Sequence, residues 1–129
     1  MESDPLIKKE KILIAEDDPQ IARLVEFKLN REGFQVSIAR NGKEAVDQME
    51  SDAWSLIILD IMMPILDGWE VLKRLKSSSQ SQIPVLMLTA KSYQKKDIAN
   101  AADLGATQFL RKPFDLSELV AVVNSLVGR

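Results

Sequence analysis

Five short runs dominated by Ile, Leu and Val recur along the chain, at Lys11 to Ala15, Gln35 to Ala39, Leu56 to Leu59, Val85 to Thr89 and Gln108 to Arg111. Some, such as Leu56-Ile57-Ile58-Leu59, are apolar without interruption, the pattern of strands covered on both faces of a parallel sheet. The stretches between them have helical spacing. The first places Ile21, Leu24, Val25, Phe27, Lys28 and Leu29 in one helix ending near Gly33, a residue suited to the position just past a helix C-terminus. A second helix covers about Lys43 to Glu50, with Ala45, Val46 and Met49 on one face. The third runs from Gly68 to about Ser77 with Trp69, Val71, Leu72 and Leu75 apolar. The fourth spans about Lys95 to Leu104 and stops at Gly105, and the fifth begins at Asp115 or Ser117 and runs to about Val127. Five strands alternating with five helices predict a doubly wound α/β sheet, because parallel strands require crossovers and a helix makes the shortest one. The Ser-rich stretch Ser77 to Gln82 reads as a solvated connection.

Composition narrows the picture. With 129 residues, 46% of them hydrophobic, the chain is long enough for one well-filled domain. Its apolar runs fall far short of the roughly 20 residues of a membrane span. Met1 to Glu10 mixes charges with Pro5 and two aliphatics, so it reads as a polar arm before a domain at 11–129, not as a signal peptide or anchor. A soluble, cytoplasmic protein is expected. The absence of Cys and His removes thiol chemistry, disulfides, zinc fingers, His-ligated haem and Ser-His-Asp catalysis. Any metal must then sit on oxygen ligands, which favours a hard cation such as Mg or Ca. A net charge of -2, from 17 basic and 19 acidic residues, lacks the basic excess of an autonomous nucleic-acid binder.

Ligands of an open parallel sheet bind beyond the carboxyl ends of its strands, where the strand order reverses. Glu16, Asp17 and Asp18 follow the first predicted strand, Asp60 the third, Thr89 ends the fourth and Lys112 follows the fifth. The second is followed only by Arg40-Asn41-Gly42, a turn. Each residue alone has a plain reading: Asp18 before Pro19 is a helix N-cap, Thr89 a strand hydroxyl, Lys112 a surface cation. Asp60 at the edge of an apolar run would be costly if unpaired. If the second strand is an edge, these groups share one crevice, where the carboxylates repel unless a cation joins them. Mg suits them better than Ca, since no EF-hand loop pattern is present. A carboxylate can also attack a phosphoryl donor, with Lys112 as a point charge and Thr89 as a neutral hydrogen-bond donor.

Four motifs carry a resemblance: Ile12-Leu13-Ile14-Ala15-Glu16-Asp17-Asp18, Asp60-Ile61-Met62-Met63-Pro64 with Asp67-Gly68, Leu88-Thr89-Ala90, and Phe109-Leu110-Arg111-Lys112-Pro113-Phe114. From about Lys11 to Val127 the chain resembles the receiver domain of two-component response regulators. That resemblance implies a flavodoxin-like five-stranded sheet of order 2-1-3-4-5 and a phosphoacceptor switch rather than an enzyme with a separate substrate. It makes Asp60 the phosphorylated residue and Asp17 the direct ligand of Mg, with Mn as an alternative. Glu16 would reach the metal through water, and the backbone carbonyl of Met62 would be a further ligand. Thr89 and Lys112 match the residues that assist phosphotransfer and autodephosphorylation, Thr89 and Phe109 the switch pair, and Lys112-Pro113 a cis peptide.

The resemblance also implies partners. A histidine kinase or histidine phosphotransfer protein would donate the phosphoryl group, since this chain has no histidine, and the surface of the fourth helix, fifth strand and fifth helix would control an effector protein or an output domain outside this sequence. Winged-helix members carry paired charges on that surface, where this chain has Ile98, Asn100, Thr107, Gln108 and Val122. A monomer or a weak phosphorylation-dependent dimer is therefore expected, with no direct nucleic-acid or membrane binding. Alternative classes fit less well. A haloacid-dehalogenase-type phosphatase needs an acid where Met62 stands, and a flavodoxin-like cofactor binder needs a phosphate loop where Glu16-Asp17-Asp18 stands. A degenerate receiver would not keep Glu16, Asp17, Asp60, Thr89 and Lys112 together.

Overall fold

The computed structural model describes residues 9–90, 99 and 102–129. Its elements in chain order are β1 (Lys11–Ala15), α1 (Pro19–Arg31), β2 (Gln35–Ala39), α2 (Gly42–Met49), β3 (Leu56–Asp60), α3 (Gly68–Lys76), β4 (Val85–Thr89), β5 (Gln108–Arg111) and the C-terminal helix α4 (Leu116–Val127). All neighbouring strands pair in parallel, in the order β2-β1-β3-β4-β5, the flavodoxin-like arrangement expected. The fourth predicted helix lies largely outside the described residues, of which Ala99, Ala102 and Asp103 are helical. Four complete helices are therefore described rather than five; Ile98 and Asn100 also lie outside the described residues. No helix among the described residues is long and apolar enough to cross a membrane.

The continuous apolar runs resolve into two faces because strand side chains alternate. Ile12, Ile14, Leu56, Ile58, Leu86 and Leu88 point toward α1 and α4, where they meet Val25, Leu29, Leu119 and Val123. Leu13, Ala15, Ile57, Leu59, Val85 and Met87 point the other way, toward Ala45, Val71, Leu72 and Leu75 of α2 and α3. Each fully buried Leu or Ile contributes roughly 1.5–3 kcal/mol of hydrophobic free energy, so the three central strands anchor the fold. On α1 the inward stripe is Ala22, Val25 and Leu29, while Leu24 and Phe27, off that stripe, are exposed.

Helix starts are set by short polar side chains. Asp18 accepts hydrogen bonds from the amides of Gln20 and Ile21 ahead of Pro19, Asn41 accepts from Glu44, and Asp67 accepts from Glu70. Two glycines then allow the β3–α3 loop to close. A Cβ at Gly42 would lie 1.9 Å from the Leu66 carbonyl oxygen, and one at Gly68 would lie 2.4 Å from the carbonyl oxygen of Asp60. Both neighbours are backbone, so they yield only by moving the loop. Gly68→Ala is expected to cost about 1–3 kcal/mol through this overpacking, read as a lower urea midpoint; an unchanged midpoint would refute the close approach.

Candidate functional site

The strand order creates the site. β1 and β3 are adjacent, yet α1 leaves β1 toward one face of the sheet and α3 leaves β3 toward the other, opening a crevice beyond their carboxyl ends. Asp60 ends β3, one residue inside the strand rather than just past it as the apolar run Leu56–Leu59 suggests. Glu16 follows β1 directly, held by its amide donating to the Ala39 carbonyl at 3.0 Å. Carboxylate oxygens of Glu16, Asp17 and Asp60 all lie within 4.8 Å of one another. Glu16 is 1% exposed and Asp60 5%, whereas Asp17 faces solvent.

Lys112 enters from the far side of the crevice. The Thr89 carbonyl accepts from its amide at 2.8 Å, and the Lys112–Pro113 peptide that follows is cis. Its ammonium lies 2.6 Å from Glu16 Oε1 and 3.1 Å from Asp60 Oδ2. The second Glu16 oxygen accepts from the amide of Asp18 at 3.2 Å, and Asp60 Oδ1 accepts from the amide of Met62 at 3.3 Å. Met62 is thus drawn to the crevice through its backbone while its side chain remains exposed. The Thr89 hydroxyl is buried with no hydrogen-bond partner among the described residues, an arrangement whose cost is recovered when an acceptor arrives. Phe109 is half-buried beside Met87 and packs into the α2 and α3 side of the core.

Electrostatics follow from this packing. Burial pushes the Glu16 carboxyl from its ordinary 4.5 up to about 7; the neighbouring Asp60 adds to the rise, and the Lys112 hydrogen bond opposes it. Burial draws the Lys112 ammonium down, but its bond to Glu16 and the charges of Asp60 and Glu16 outweigh this and raise it overall. A divalent cation fits such a site. Three carboxylates face one ammonium, the donors are all oxygen, and Asp17 leaves the cluster open to water, as suits a cation that keeps part of its hydration shell. The structure brings Glu16, Asp17, Asp60, Thr89 and Lys112 to one end of the sheet. Asp18 is diverted to the α1 cap. The direct Lys112–Glu16 bond has no local signal, because the partners are 96 residues apart. It is recoverable from sequence only by supposing the strand order.

Solved relatives share the fold. The chain is 40% identical over 120 residues to the transcriptional regulatory protein PcoR of Escherichia coli, covering 93% of this chain and 52% of that protein. It spans about half the length of the curated relatives it matches. The receiver domain of a Francisella response regulator superposes with a TM-score of 0.87 at 33% identity, covering 94% of this chain and 98% of that one. The receiver domain of a sensor histidine kinase from Pseudomonas aeruginosa, which has a magnesium ion coordinated in its active-site cleft, superposes with a TM-score of 0.85 at 28% identity. That match covers 95% of this chain and 100% of the other. With residues 12–124 matching the family described as the response regulator receiver domain, the chain belongs to that family.

Proposed function

We propose that Asp60 is the phosphoacceptor of a two-component phosphorelay. The observation that carries this reading is a nearly buried aspartate at the end of β3, with an ammonium 3.1 Å away and two further carboxylates within 4.8 Å. An Asp60 oxygen attacks the phosphorus of a phosphohistidine on a partner protein. The O–P bond forms, the N–P bond breaks, and the imidazole leaves with the donor. Lys112 offsets charge on the phosphoryl oxygens, and the unpartnered Thr89 hydroxyl donates to one of them. Asp17, Asp60 and the Met62 carbonyl would hold Mg, or Mn in its place, with Glu16 acting through water. The cation supplies charge neutralisation at the transferred group.

The same groups orient the water that later hydrolyses the aspartyl phosphate, so the domain promotes its own dephosphorylation. Movement of Thr89 and Phe109 toward the phosphorylated end of the sheet alters the surface of β5 and α4, which addresses an effector protein or an output domain. Thr107, Gln108 and Val122 on that surface carry no charge, in keeping with a monomer or a weak phosphorylation-dependent dimer. The reading places the chain, with a polar arm over residues 1–10 and the receiver over 11–129, in the cytoplasm beside its histidine kinase or phosphotransfer protein. It calls for no contact with nucleic acid or membrane. Incubation with phosphoramidate and Mg should add one phosphoryl mass to the wild type and none to Asp60→Asn. An Asp60→Asn protein that gained the same mass would refute the assignment.

A further inference from the structure

Phosphoryl transfer to Asp60 calls on one cationic flank of the acid cluster, that of Lys112. The flank toward β2 is cationic too. There a cavity of about 650 Å³ opens between α1 and the end of β2, and its wall includes Glu16, Asp17, Arg23, Glu26, Ile38 and Arg40. The strand ends bring these groups together. Ala15 pairs with Ala39 at the ends of β1 and β2, and the Glu16 amide donates to the Ala39 carbonyl at 3.0 Å, so Arg40 follows β2 at the level where Glu16 follows β1. Arg23 and Glu26 come from α1, on the turns after its start at Pro19. Asp60 does not line the cavity, in keeping with a sheet order that puts β1 between β2 and β3.

The two guanidiniums are not spent on the fold. Among the described residues Arg31 lies over Phe27, Arg74 pairs with Glu70 and Arg129 pairs with Glu10. Neither Arg23 nor Arg40 forms an ion pair there, although three carboxylates share their cavity. Without metal those carboxylates outnumber the arginines, but a divalent cation at Glu16 and Asp17 leaves the wall positive. Such a wall selects an anion. Mg takes one or two carboxylates and fills its remaining positions with water or phosphate oxygen, and Asp17 is exposed on the cavity side of the cluster. A guanidinium presents a planar fork that matches two phosphate oxygens. The volume lies within the roughly 300–1,000 Å³ of small-molecule sites, and Ile38 adds an apolar patch to the wall.

We propose that this cavity is a second anion site, which takes a diphosphate group through Arg23 and Arg40 and through the cation at Asp17 and Glu16. Inorganic pyrophosphate and the diphosphate of a nucleotide present the same chemistry to it. The ligand is bound and not transferred, because Asp60 lies outside the cavity. The proposal rests on Asp17 and Glu16 holding Mg. Since cation and diphosphate share those carboxylates, each strengthens the binding of the other.

Calorimetry tests this with three ligands titrated separately into the protein: Mg alone, pyrophosphate and ADP, the last two with and without millimolar Mg. Pyrophosphate and ADP should bind the wild type only when Mg is present. Arg23→Gln and Arg40→Gln should each weaken that binding about tenfold, through loss of a charge-assisted contact to phosphate. Both residues are exposed, so the urea midpoints should stay at the wild-type value. Glu26→Gln removes a like charge from the wall and should tighten binding about threefold, a gain that damage to the fold would not produce. Intact mass should show no phosphoryl group added by either ligand. Tighter binding of ADP than of pyrophosphate identifies a nucleotide as the occupant, and the reverse order identifies the inorganic ion. The proposal is overturned if the wild type binds Mg but neither diphosphate, if both arginine variants bind as the wild type does, if binding is as strong without Mg, or if pyrophosphate only withdraws Mg from the protein. A wild type that binds no Mg refutes the metal reading itself.

Discussion

Replacing Lys112 by Met is expected to destabilise the protein by about 3 kcal/mol at pH 8 and to slow phosphorylation by phosphoramidate by about 10²–10³-fold. The stability loss follows from what the ammonium compensates. Glu16 and Asp60 are nearly buried and share that one cation, at 2.6 and 3.1 Å. Removing one partner of a buried ion pair leaves the other charge with its desolvation cost and nothing against it. Because the Lys112 ammonium is raised above its ordinary value of 10.5, its favourable contribution is fully present below 10.5 and is lost only as pH rises through the folded value. Neutral solution therefore reports it fully. The defect should shrink in acid, because Glu16 can then neutralise itself by binding a proton, and it should shrink on adding Mg, which supplies positive charge to the same carboxylates. Urea unfolding of both proteins at pH 5 and pH 8, with and without Mg, checks this. Equal destabilisation under all four conditions would mean that Lys112 acts through packing rather than charge. The rate loss has a separate cause, since the transferred phosphoryl group would meet one fewer fixed positive charge.

A second large effect concerns protons. Glu16 is raised from 4.5 to about 7 in the folded protein, so between those values the folded chain holds a proton that the unfolded chain has released. Stability in the absence of divalent ions should therefore be greatest from this group below pH 4.5 and decline as pH rises toward 7, by about 3 kcal/mol in all. Cation binding requires ionised carboxylates and must displace that proton. The Mg dissociation constant should then fall about tenfold per pH unit up to ~7 and level off above it, with close to one proton released per ion at pH 6. Calorimetric titration of Mg in two buffers of different ionisation enthalpy measures the proton count. A dissociation constant flat between pH 5.5 and 7.5 would show that Glu16 is not titrating in this range.

Much of the fold was legible because it depends on local periodicity. Four of the five predicted strands match the observed bounds at both ends, and β3 is longer by Asp60 alone. The caps were legible where a residue signals its own conformation: Asp18 before Pro19 has few other uses. Side-chain placement on α1 was less so. Leu24 and Phe27 have the composition of a buried face, but the stripe that meets β1 and β3 is set by Ala22, Val25 and Leu29. Nothing in a helix's own sequence fixes its rotation against a sheet to within one residue when apolar side chains flank the stripe on both sides.

The site divides in the same way. Residue order and chemical type alone placed an acid, a hydroxyl and an ammonium at successive strand ends, and the absence of His removed the phosphodonor from this chain, because both are properties of the list of residues. Tertiary structure decided which of them share one pocket. Lys112 meets Glu16 across 96 residues only because β1, β3, β4 and β5 lie side by side with parallel register, and Asp18 is withdrawn from the cluster by the helix it caps. The burial that raises Glu16 belongs to the packed interior, since desolvation does not exist in an extended chain. Ile65 marks the limit of local reasoning. Its intrinsic preference opposes the positive φ of 72 it adopts, a conformation that goes with closure of the β3–α3 loop onto Gly42 and Gly68, contacts that form only once both helices are docked on the same face of the sheet.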